Sequence, residues 1–350
     1  MKIFTIPLAL SLSSVMAVIP TEKNEGLYEL EVSALYWQTK IWGLEFAGKS
    51  LSQLYTGPNK VSFVQKVVVP DFAFRPGFKV EFGRGVSYDG LSLAARWTSL
   101  NSNTTNLKKY IHKNIVPLGN GVIPLWYEPL GTPASPDLPL HFWKSQNNWK
   151  LNFNTFDLEL SRVFLPLSSM LVKVFMGVKG SYIQQQEHVK YWDGPEFYVP
   201  GVVYEQSKVV LHSNAAGAGP RAGFDSKWRI GAGFSIIADS AFSVLYSSVG
   251  MGTKYQNQFS DPSYNTSSHM REKEQELVPV LEGKLGFDWG RWFGSSSSLY
   301  FGMTVAYEVQ YWWSQNHFRR HYPYNAPGNM WDMRGDLQLR GLTVSLRSEF

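Results

Sequence analysis

The sequence predicts an all-β fold: a transmembrane, antiparallel, up-and-down β-barrel of about ten strands. Three observations predict it. Alternating apolar and polar segments recur along the whole chain, the connections between them alternate between short and long, and the chain ends on the aromatic residue Phe350. Strands with one apolar and one polar face suit a wall between lipid and water, and outer-membrane barrels sort their connections into short periplasmic turns and long extracellular loops.

The last segment shows the alternation in its simplest form. Leu342 and Leu346 share one face of the predicted strand, and Thr343 and Arg347 share the other. A terminal Phe on such a strand resembles the signal by which bacterial outer-membrane barrels are recognised for insertion. Phe350 is therefore predicted to be the assembly signal, read by the barrel-assembly machinery.

The first residues predict export. Met1 and Lys2 give a short positive start, residues 3–15 are mainly apolar, and Val-Met-Ala at residues 15–17 fits the small-residue cleavage rule. We expect residues 1–17 to be a signal peptide and residues 18–350 to be a single outer-membrane barrel domain. No later segment approaches the roughly 18 apolar residues that a membrane helix needs.

Composition narrows the class of protein. The 350 residues include no Cys and 15% aromatic residues, and the mean hydropathy is −0.20. An exported chain of this size without disulfides must be held by backbone pairing and packing. The formal charge of +5 is mild and gives no reason to expect nucleic acid as a partner. The expected partners are outer-membrane lipid and lipopolysaccharide, and a homo-oligomer stays open.

The clearest pair of strands is Leu277–Trp289 and Leu299–Tyr311. Large apolar side chains dominate the odd positions of both, and the even positions include Glu282, Lys284 and several small or polar residues. The Gly- and Ser-rich residues between these two segments predict a tight turn, and the pair therefore predicts a hairpin. Counted along the chain, such segments give ten strands of roughly 10 to 18 residues, enough to cross a hydrocarbon layer at a tilt.

The connections are predicted to alternate in length. The short turns, at the periplasmic end, are residues 84–90, 165–169, 229–233 and 290–297. The long loops, at the extracellular end, are residues 38–71, 102–146, 186–212, 256–271 and 314–335. This asymmetry is typical of an outer-membrane barrel and not of a soluble sandwich.

Two places leave alternatives open. In the segment Trp149–Phe164, Leu151 and Phe153 are out of phase with the residues that follow, which indicates either a projection beyond the bilayer or a β-bulge. The first two long loops contain Val67–Val69 and Val122–Tyr127, which could form another hairpin and raise the count to twelve strands.

Aromatic residues near the predicted strand ends favour an interfacial girdle, in which amphipathic rings sit at the headgroup level. The residues are Tyr36, Trp37, Trp97, Trp149, Tyr182, Trp228, Tyr246, Trp289, Trp292, Tyr311 and Trp312.

Three segments resemble the Legionella-type major outer membrane protein family, which also has members in chlamydia-related bacteria. They are Asn147–Arg162, Gly219–Trp228 and Gly335–Thr343, the last of which is similar to the closing strand of the family. The resemblance implies a pore-forming surface protein of the bacterial outer membrane. Chlamydial members crosslink the envelope through cysteines, so the absence of Cys gives no support to such a role here.

Charged residues on the polar strand faces are predicted to line the lumen. They are Arg75, Lys79, Glu81, Arg96, Asp157, Glu159, Lys173, Lys179, Arg221, Asp225, Lys227, Asp239, Glu282, Lys284, Asp288, Glu308 and Arg347. Two interpretations compete. In one, water fills the lumen and the charges set a field that sorts solutes. In the other, the charges pair across a narrow barrel and block flow. Ten strands are far fewer than the 16 to 18 of wide porins, so a narrow pore, or one constricted by residues 102–146, is expected.

The sequence favours a porin-like function, in which small solutes or ions diffuse passively through the barrel. The alternative is a closed structural or adhesin-type barrel that presents its long loops, above all residues 102–146, to a host or the environment. The two functions differ in one observable, which is ion flow.

An enzyme is not expected. None of the seven His residues lies in a nucleophile elbow or at metal-ligand spacing, and no Gly-rich phosphate loop is present, so no catalytic, metal or cofactor site is predicted. The cluster Asn316–Tyr322 fits either an anion-binding surface, for lipopolysaccharide or a host polyanion, or a solvated loop.

The predicted facing makes two mutational predictions. Met303→Arg or Leu285→Arg should impair insertion, at roughly 2–4 kcal/mol near the bilayer midplane. Lys179→Glu or Arg221→Glu should leave assembly largely intact and shift ion selectivity toward cations.

Overall fold

The computed structural model describes residues 28–55, 61–86, 90–109, 122–126, 142–194, 200–293, 299–321 and 330–350. The predicted signal peptide lies outside these residues. Within them, one 3₁₀ helix is present, Pro262–Tyr264, and no helix is long and apolar enough to cross a membrane.

The described residues are almost entirely β-strand. The strands in chain order are β1 Tyr28–Ile41, β2 Ala47–Tyr55, β3 Val61–Val68, β4 Phe74–Val86, β5 Leu91–Lys109, β6 Val122–Pro124, β7 Lys144–Leu167, β8 Met170–Trp192, β9 Tyr204–Gly231, β10 Phe234–Phe259, β11 Thr266–Phe293, β12 Leu299–Asn316, β13 Arg319–His321, β14 Met330–Asp332 and β15 Gly335–Glu349.

Ten of these strands close into a barrel. Its order is β1-β15-β12-β11-β10-β9-β8-β7-β5-β4, and β1 closes the ring by pairing antiparallel with both β15 and β4. The up-and-down barrel of ten strands predicted from the sequence is confirmed. In such a ring β7 and β12 lie five strands apart in either direction, so they form opposite walls.

The two suspected segments in the first long loops do form strands, but outside the barrel wall. A second sheet of three strands has the order β3-β2-β6, and the Val122–Pro124 strand lies beside β2. A third sheet pairs β13 with β14. The strand count of the barrel therefore stays at ten.

The wall strands are longer than the sequence indicated. The strands β7 to β11 have between 23 and 28 residues, so most of the predicted loops 186–212 and 256–271 is strand. The connections that remain there run from 193 to 203 and from 260 to 265. The predicted short turns at 165–169 and 229–233 are confirmed, since β7 joins β8 and β9 joins β10 through two residues each. The predicted turns 84–90 and 290–297 lie partly outside the described residues. We call this end of the barrel the turn end and the opposite one the loop end.

Side chains exchange roles along the long strands. On β7, Phe156 faces outward with 54% of its surface exposed, and Asp157 faces inward and is buried. Further toward the loop end, Trp149, Leu151 and Phe153 also face inward and are buried. The register of β7 with β5 and β8 is uninterrupted from Trp149 to Arg162, so the segment has no bulge there, and the one register shift with β8 falls beyond it, between Phe164 and Leu167. The wall is thus apolar outside and polar inside in the turn half, and the reverse in the loop half.

The exposed apolar belt has the height of a hydrocarbon layer. On β10 it runs from Phe234 to Tyr246, both of which are more than half exposed. Twelve steps at about 3.3 Å per residue make about 40 Å along the strand, which a tilt of about 40° reduces to about 30 Å across the layer. A strand that has left the lipid no longer needs an apolar outer face, which explains the exchange of sides on β7.

The predicted aromatic girdle is correct in part. Exposed rings mark both edges of the belt: Tyr36, Trp97, Tyr182, Trp228 and Tyr246. The prediction is wrong for Trp37, Trp149 and Trp312, which are fully buried inside the barrel. It is also wrong for Trp292, whose ring packs on Tyr300 and lines the lumen at the turn end. Each has the same parity as the inward-facing polar residues of its strand, and this is the signal that the sequence interpretation passed over.

The apolar core fills the loop half of the barrel. Wall residues such as Leu100, Val209 and Leu339 pack there with Phe46 and Trp126 of the second sheet's segments. The second sheet is also tied to the wall, because the hydroxyl group of Tyr191 donates to the Phe46 carbonyl and accepts from the backbone N–H of Trp126. The loop half of the barrel is therefore filled by a packed core.

Candidate functional site in the barrel lumen

The turn half of the lumen holds a continuous group of ion pairs. Seven residues, which we call the central cluster, form it: Glu81, Arg96, Asp157, Glu159, Lys179, Arg221 and Glu282. They come from β4, β5, β7, β8, β9 and β11. Every one is at an inward position of its strand, at the level where the neighbouring outward residues, such as Phe156 and Leu158, form the apolar belt.

Lys179 and Arg221 are the centre of the cluster. The Lys179 Nζ atom lies 2.7 Å from Asp157 Oδ1 and 3.0 Å from Glu282 Oε1. The Arg221 guanidinium lies 3.2 Å from Glu159 Oε1 and 3.1 Å from Glu282 Oε2. Lys179 is completely buried and Arg221 only 4% exposed. A buried charge is tolerated only when it is paired in this way.

Arg96 extends the cluster toward β4. Its Nε atom lies 2.6 Å from Glu81 Oε2, and its Nη1 atom lies 3.2 Å from Glu159 Oε1. Glu159 therefore joins Arg96 to Arg221. The cluster contains three cations and four carboxylates, so its charges nearly balance.

Simple ion pairs surround the central cluster. They are Lys79–Glu308 at 2.8 Å, Lys173–Asp225 at 2.9 Å, Lys284–Asp239 at 3.0 Å, and Asp288 with both Lys227 and, at 3.6 Å, Arg347. Except for Asp288, their side chains are more exposed than those of Lys179 and Arg221. They border a cavity of about 160 Å³ beside the cluster. A larger cavity of about 640 Å³ follows at the turn end, where Arg84, Arg229, Trp292 and Glu349 lie on its walls.

An aromatic contact closes the lumen above the central cluster. Phe153 of β7 and Trp312 of β12 meet edge to face, with ring centroids 5.3 Å apart, and both are fully buried. The Lys179 Nζ atom lies 5.8 Å from the Trp312 ring, so the ionic and aromatic layers are in contact. Near them, Gln185 of β8 donates to the Gln315 carbonyl at 3.1 Å.

A second group of ion pairs lies inside the barrel at the loop end. Glu272, Glu274 and Glu276 follow one another on the inner face of β11. Arg319 pairs with the first two, and His317 Nε2 lies 2.5 Å from Glu276 Oε1. His317 and Phe318 are buried. The interpretation of Asn316–Tyr322 as a solvated or anion-binding loop is therefore wrong for its first residues, whose cations face carboxylates within the barrel; Tyr322 lies outside the described residues.

The structure brings together nearly all of the predicted lumen residues. Each of them belongs to the central cluster or to the surrounding pairs, except Arg75, which donates to the Asn103 carbonyl at 2.9 Å. The aromatic layer is a feature of the candidate site that the sequence interpretation missed, although the inward parity of Trp312 on β12 indicates it. Among the described residues no group of three or more His, Asp or Glu side chains is arranged to hold a metal ion.

Solved structures of several outer-membrane proteins are distantly similar to this chain. The outer membrane protease OmpT from Escherichia coli is 10% identical, with 94% of this chain and 97% of that chain covered and a TM-score of 0.38. The toluene transporter TodX from Pseudomonas putida is 6% identical, with 93% and 89% covered and a TM-score of 0.28. A FadL homologue from Pseudomonas aeruginosa is 8% identical, with 93% and 90% covered and a TM-score of 0.25. Similarities of this size carry no information about activity.

The family comparison is much more extensive. No curated protein matches the chain. A family model described as the Legionella pneumophila major outer membrane protein precursor matches residues 18–350, which confirms the resemblance noted in the sequence. With nearly the whole chain matched and a closed ten-stranded barrel, the chain belongs to the Legionella major outer membrane protein family and is a protein of the bacterial outer membrane.

Proposed function

We propose that the chain is a channel protein through which small hydrophilic solutes or ions cross the outer membrane, and that the conformation described here is closed. The observation that carries the proposal is the central cluster, which places seven ionisable side chains at the level of the apolar belt. Ionisable side chains at membrane depth are costly and as a rule mark the path of an ion or a polar solute. A barrel that served only as a scaffold could fill this level with apolar side chains at no loss of stability.

The path that we propose runs along the lumen from the turn end. It begins in the cavity of about 640 Å³, passes the cavity of about 160 Å³ beside the central cluster, and ends at the contact between Phe153 and Trp312. Opening requires that these two rings separate and that the pairs made by Lys179 and Arg221 rearrange. Charges of both signs would then face the water, which is the arrangement that sorts solutes by a transverse field.

A closed structural or adhesin-type barrel is the second candidate. The apolar core in the loop half favours it, because a well-packed core of buried Trp, Tyr and Phe side chains resists the rearrangement that a channel needs. In this case the long strands would serve as a stalk that raises the outer loops above the membrane surface.

The experiment that separates the two candidates is single-channel recording of the refolded mature protein in a planar bilayer. The wild-type protein is compared with the double variant Phe153→Ala/Trp312→Ala, which removes the aromatic contact. Its matched control is Phe156→Ala/Phe301→Ala, on the same two strands but facing lipid. A channel predicts discrete conductance steps for the wild type, longer openings for the double variant and unchanged steps for the control.

The absence of steps from both the wild type and the folded double variant would establish the closed barrel. Folding is checked independently by the faster migration of the unheated barrel in SDS gels. Openings of the same duration in the wild type and in the double variant would support a channel but would show that the aromatic contact does not close it.

A further inference from the structure

The outer surface of the barrel is basic on one side, directly beyond the apolar belt. In the loop half of β7 to β11, the outward positions carry seven exposed or half-exposed cations: Lys144, Lys150, Lys190, Lys208, Lys254, Arg271 and Lys273. The outward positions of residues 144–154, 184–192, 206–214, 248–258 and 267–275, all of which the structure describes, include no Asp or Glu. We call this surface the basic face.

The register of the five strands aligns part of the basic face into a row. Lys150 lies opposite Gln186, which lies opposite His212, and this row continues through Gly252 to Arg271. With about 4.8 Å between neighbouring strands, the row is about 19 Å long. It places a cation at each end and a hydrogen-bonding side chain at the two positions beside Lys150.

Gly252 accommodates the ring of His212 within this row. The His212 ring lies so close over Gly252 that a Cβ atom there would approach a ring carbon to 2.1 Å. His212, Gly252 and Arg271 share a cavity of about 340 Å³ with residues of the inner face, among them Glu272, which is already paired with Arg319. The absence of a side chain at Gly252 thus makes room for the His212 ring beside Arg271.

Amide side chains fill the row nearest to the lipid. Asn152 donates to Gln184 Oε1 at 3.5 Å, and Gln184 donates to Asn214 Oδ1 at 3.3 Å. This row begins two residues beyond Tyr182, which marks the edge of the apolar belt on β8. The basic face therefore points sideways into the headgroup layer and not upward into the medium.

We propose that the basic face binds the phosphorylated headgroups of anionic lipids in the outer leaflet. Lys and Arg side chains next to a membrane surface attract anionic headgroups, and their N–H donors form charge-assisted hydrogen bonds with phosphate oxygens. The amide row supplies uncharged donors and acceptors for headgroup hydroxyls at the same depth. The site is asymmetric, because the outward positions of β15 beyond the belt include the carboxylate of Asp336 as well as Arg340. The inference is independent of whether the lumen conducts.

The test measures lipid binding to the full-length folded barrel in detergent by native mass spectrometry. The probes are purified lipopolysaccharide, the same lipopolysaccharide after enzymatic removal of its phosphates, phosphatidylethanolamine, and inorganic phosphate. The triple variant Lys150→Gln/Arg271→Gln/Lys273→Gln is compared with the wild type. The matched control is Lys40→Gln/Arg340→Gln, on β1 and β15 at the opposite side of the barrel.

We expect phosphorylated lipopolysaccharide to bind the wild type at least tenfold more tightly than the dephosphorylated form, and the triple variant to lose at least tenfold in affinity. The control should stay within twofold of the wild type. Equal binding of both lipopolysaccharides, an unchanged triple variant, or equally tight binding of inorganic phosphate alone would each overturn the proposal. Should the triple variant fail to fold, the single variants Lys150→Gln and Arg271→Gln are tested against the same expectation, with a loss of at least twofold each.

Discussion

Phe153 and Trp312 contact each other from opposite walls of the barrel, edge to face, with 5.3 Å between their ring centroids. The two strands lie on opposite sides of the barrel, and their side chains reach each other because both inward positions carry large aromatic groups. The contact separates two interiors of opposite character, an ionic one toward the turn end and an apolar one toward the loop end. In the proposed channel, it is the place where the path through the lumen is closed.

Removing this contact should cost much stability. Phe153→Ala leaves a cavity in a fully buried layer, and we expect a loss of about 3–5 kcal/mol in the free energy of unfolding. Urea titration of the barrel in lipid vesicles measures this loss. Phe156→Ala, three residues away but facing lipid, is the matched control and should cost clearly less. Equal losses for the two variants would show that the aromatic layer is not well packed.

Reversing the charge of Lys179 should prevent assembly. Lys179→Glu would place a third carboxylate between Asp157 and Glu282 in a site without solvent, and breaking a buried ion pair typically costs 3–5 kcal/mol. Lys173→Glu, at a pair that is one quarter exposed, should be tolerated much better. The folded fraction after refolding, read from unheated SDS gels, measures both effects.

A second substitution provides the control for this prediction. Adding Asp157→Lys to Lys179→Glu restores one pair with its charges exchanged and should recover part of the folded fraction. If Lys179→Glu assembled as well as the wild type, the central cluster could not be as closed as its distances indicate. From the inward facing of Lys179 alone, the sequence predicts that Lys179→Glu assembles and changes ion selectivity. The structure changes this expectation, because Lys179 is buried between two carboxylates.

The facing of side chains could be predicted from the sequence because strands have a strict period of two. The inward position of Lys179 and the outward position of Met303 follow from alternation alone. The partners could not be predicted in the same way. Lys79 and Glu308, for example, are joined only because β4 and β12 lie near each other in the closed ring, although they are distant in the chain.

The length of the strands was underestimated for a physical reason. Residues 186–192 and 204–212 alternate as regularly as the belt does, with Val189 and Leu211 inside and Lys190 and His212 outside. The sides are reversed, because this part of the wall has water outside and an apolar core inside. The pattern of outward apolar side chains therefore ends at the edge of the membrane, although the strand itself continues.

A cation in the apolar belt should impair insertion. Leu285→Arg and Met303→Arg would each place a guanidinium on an outward position next to lipid, at a cost of about 2–4 kcal/mol near the midplane. Gln275→Arg, outward on the same strand as Leu285 but beyond the belt, is the control and should cost about 0–1 kcal/mol, the value near an interface. Refolding yields in vesicles compare the three. An equal loss of refolding yield for Gln275→Arg would show that the apolar belt extends beyond the position described.

The tight turn between β9 and β10 should be open to stabilisation. Ala232 and Gly233 form it with φ angles of 52° and 84°, a left-handed conformation that suits the second residue and strains the first. Ala232→Gly removes the clash of the Cβ atom at some cost in unfolded-chain entropy, and we expect a gain of about 0.5–1 kcal/mol in the free energy of unfolding.

Ala216→Gly on the outward face of β9 is the matched control for the turn. This residue lies in extended backbone within the strand, where glycine only adds freedom to the unfolded chain, so a loss of about 0.5–1 kcal/mol is expected. Urea titration in vesicles should therefore shift the two midpoints in opposite directions. A shift of both toward lower urea would mean that the left-handed conformation of Ala232 stores no strain, and that the hairpin is set by the pairing of β9 with β10 alone.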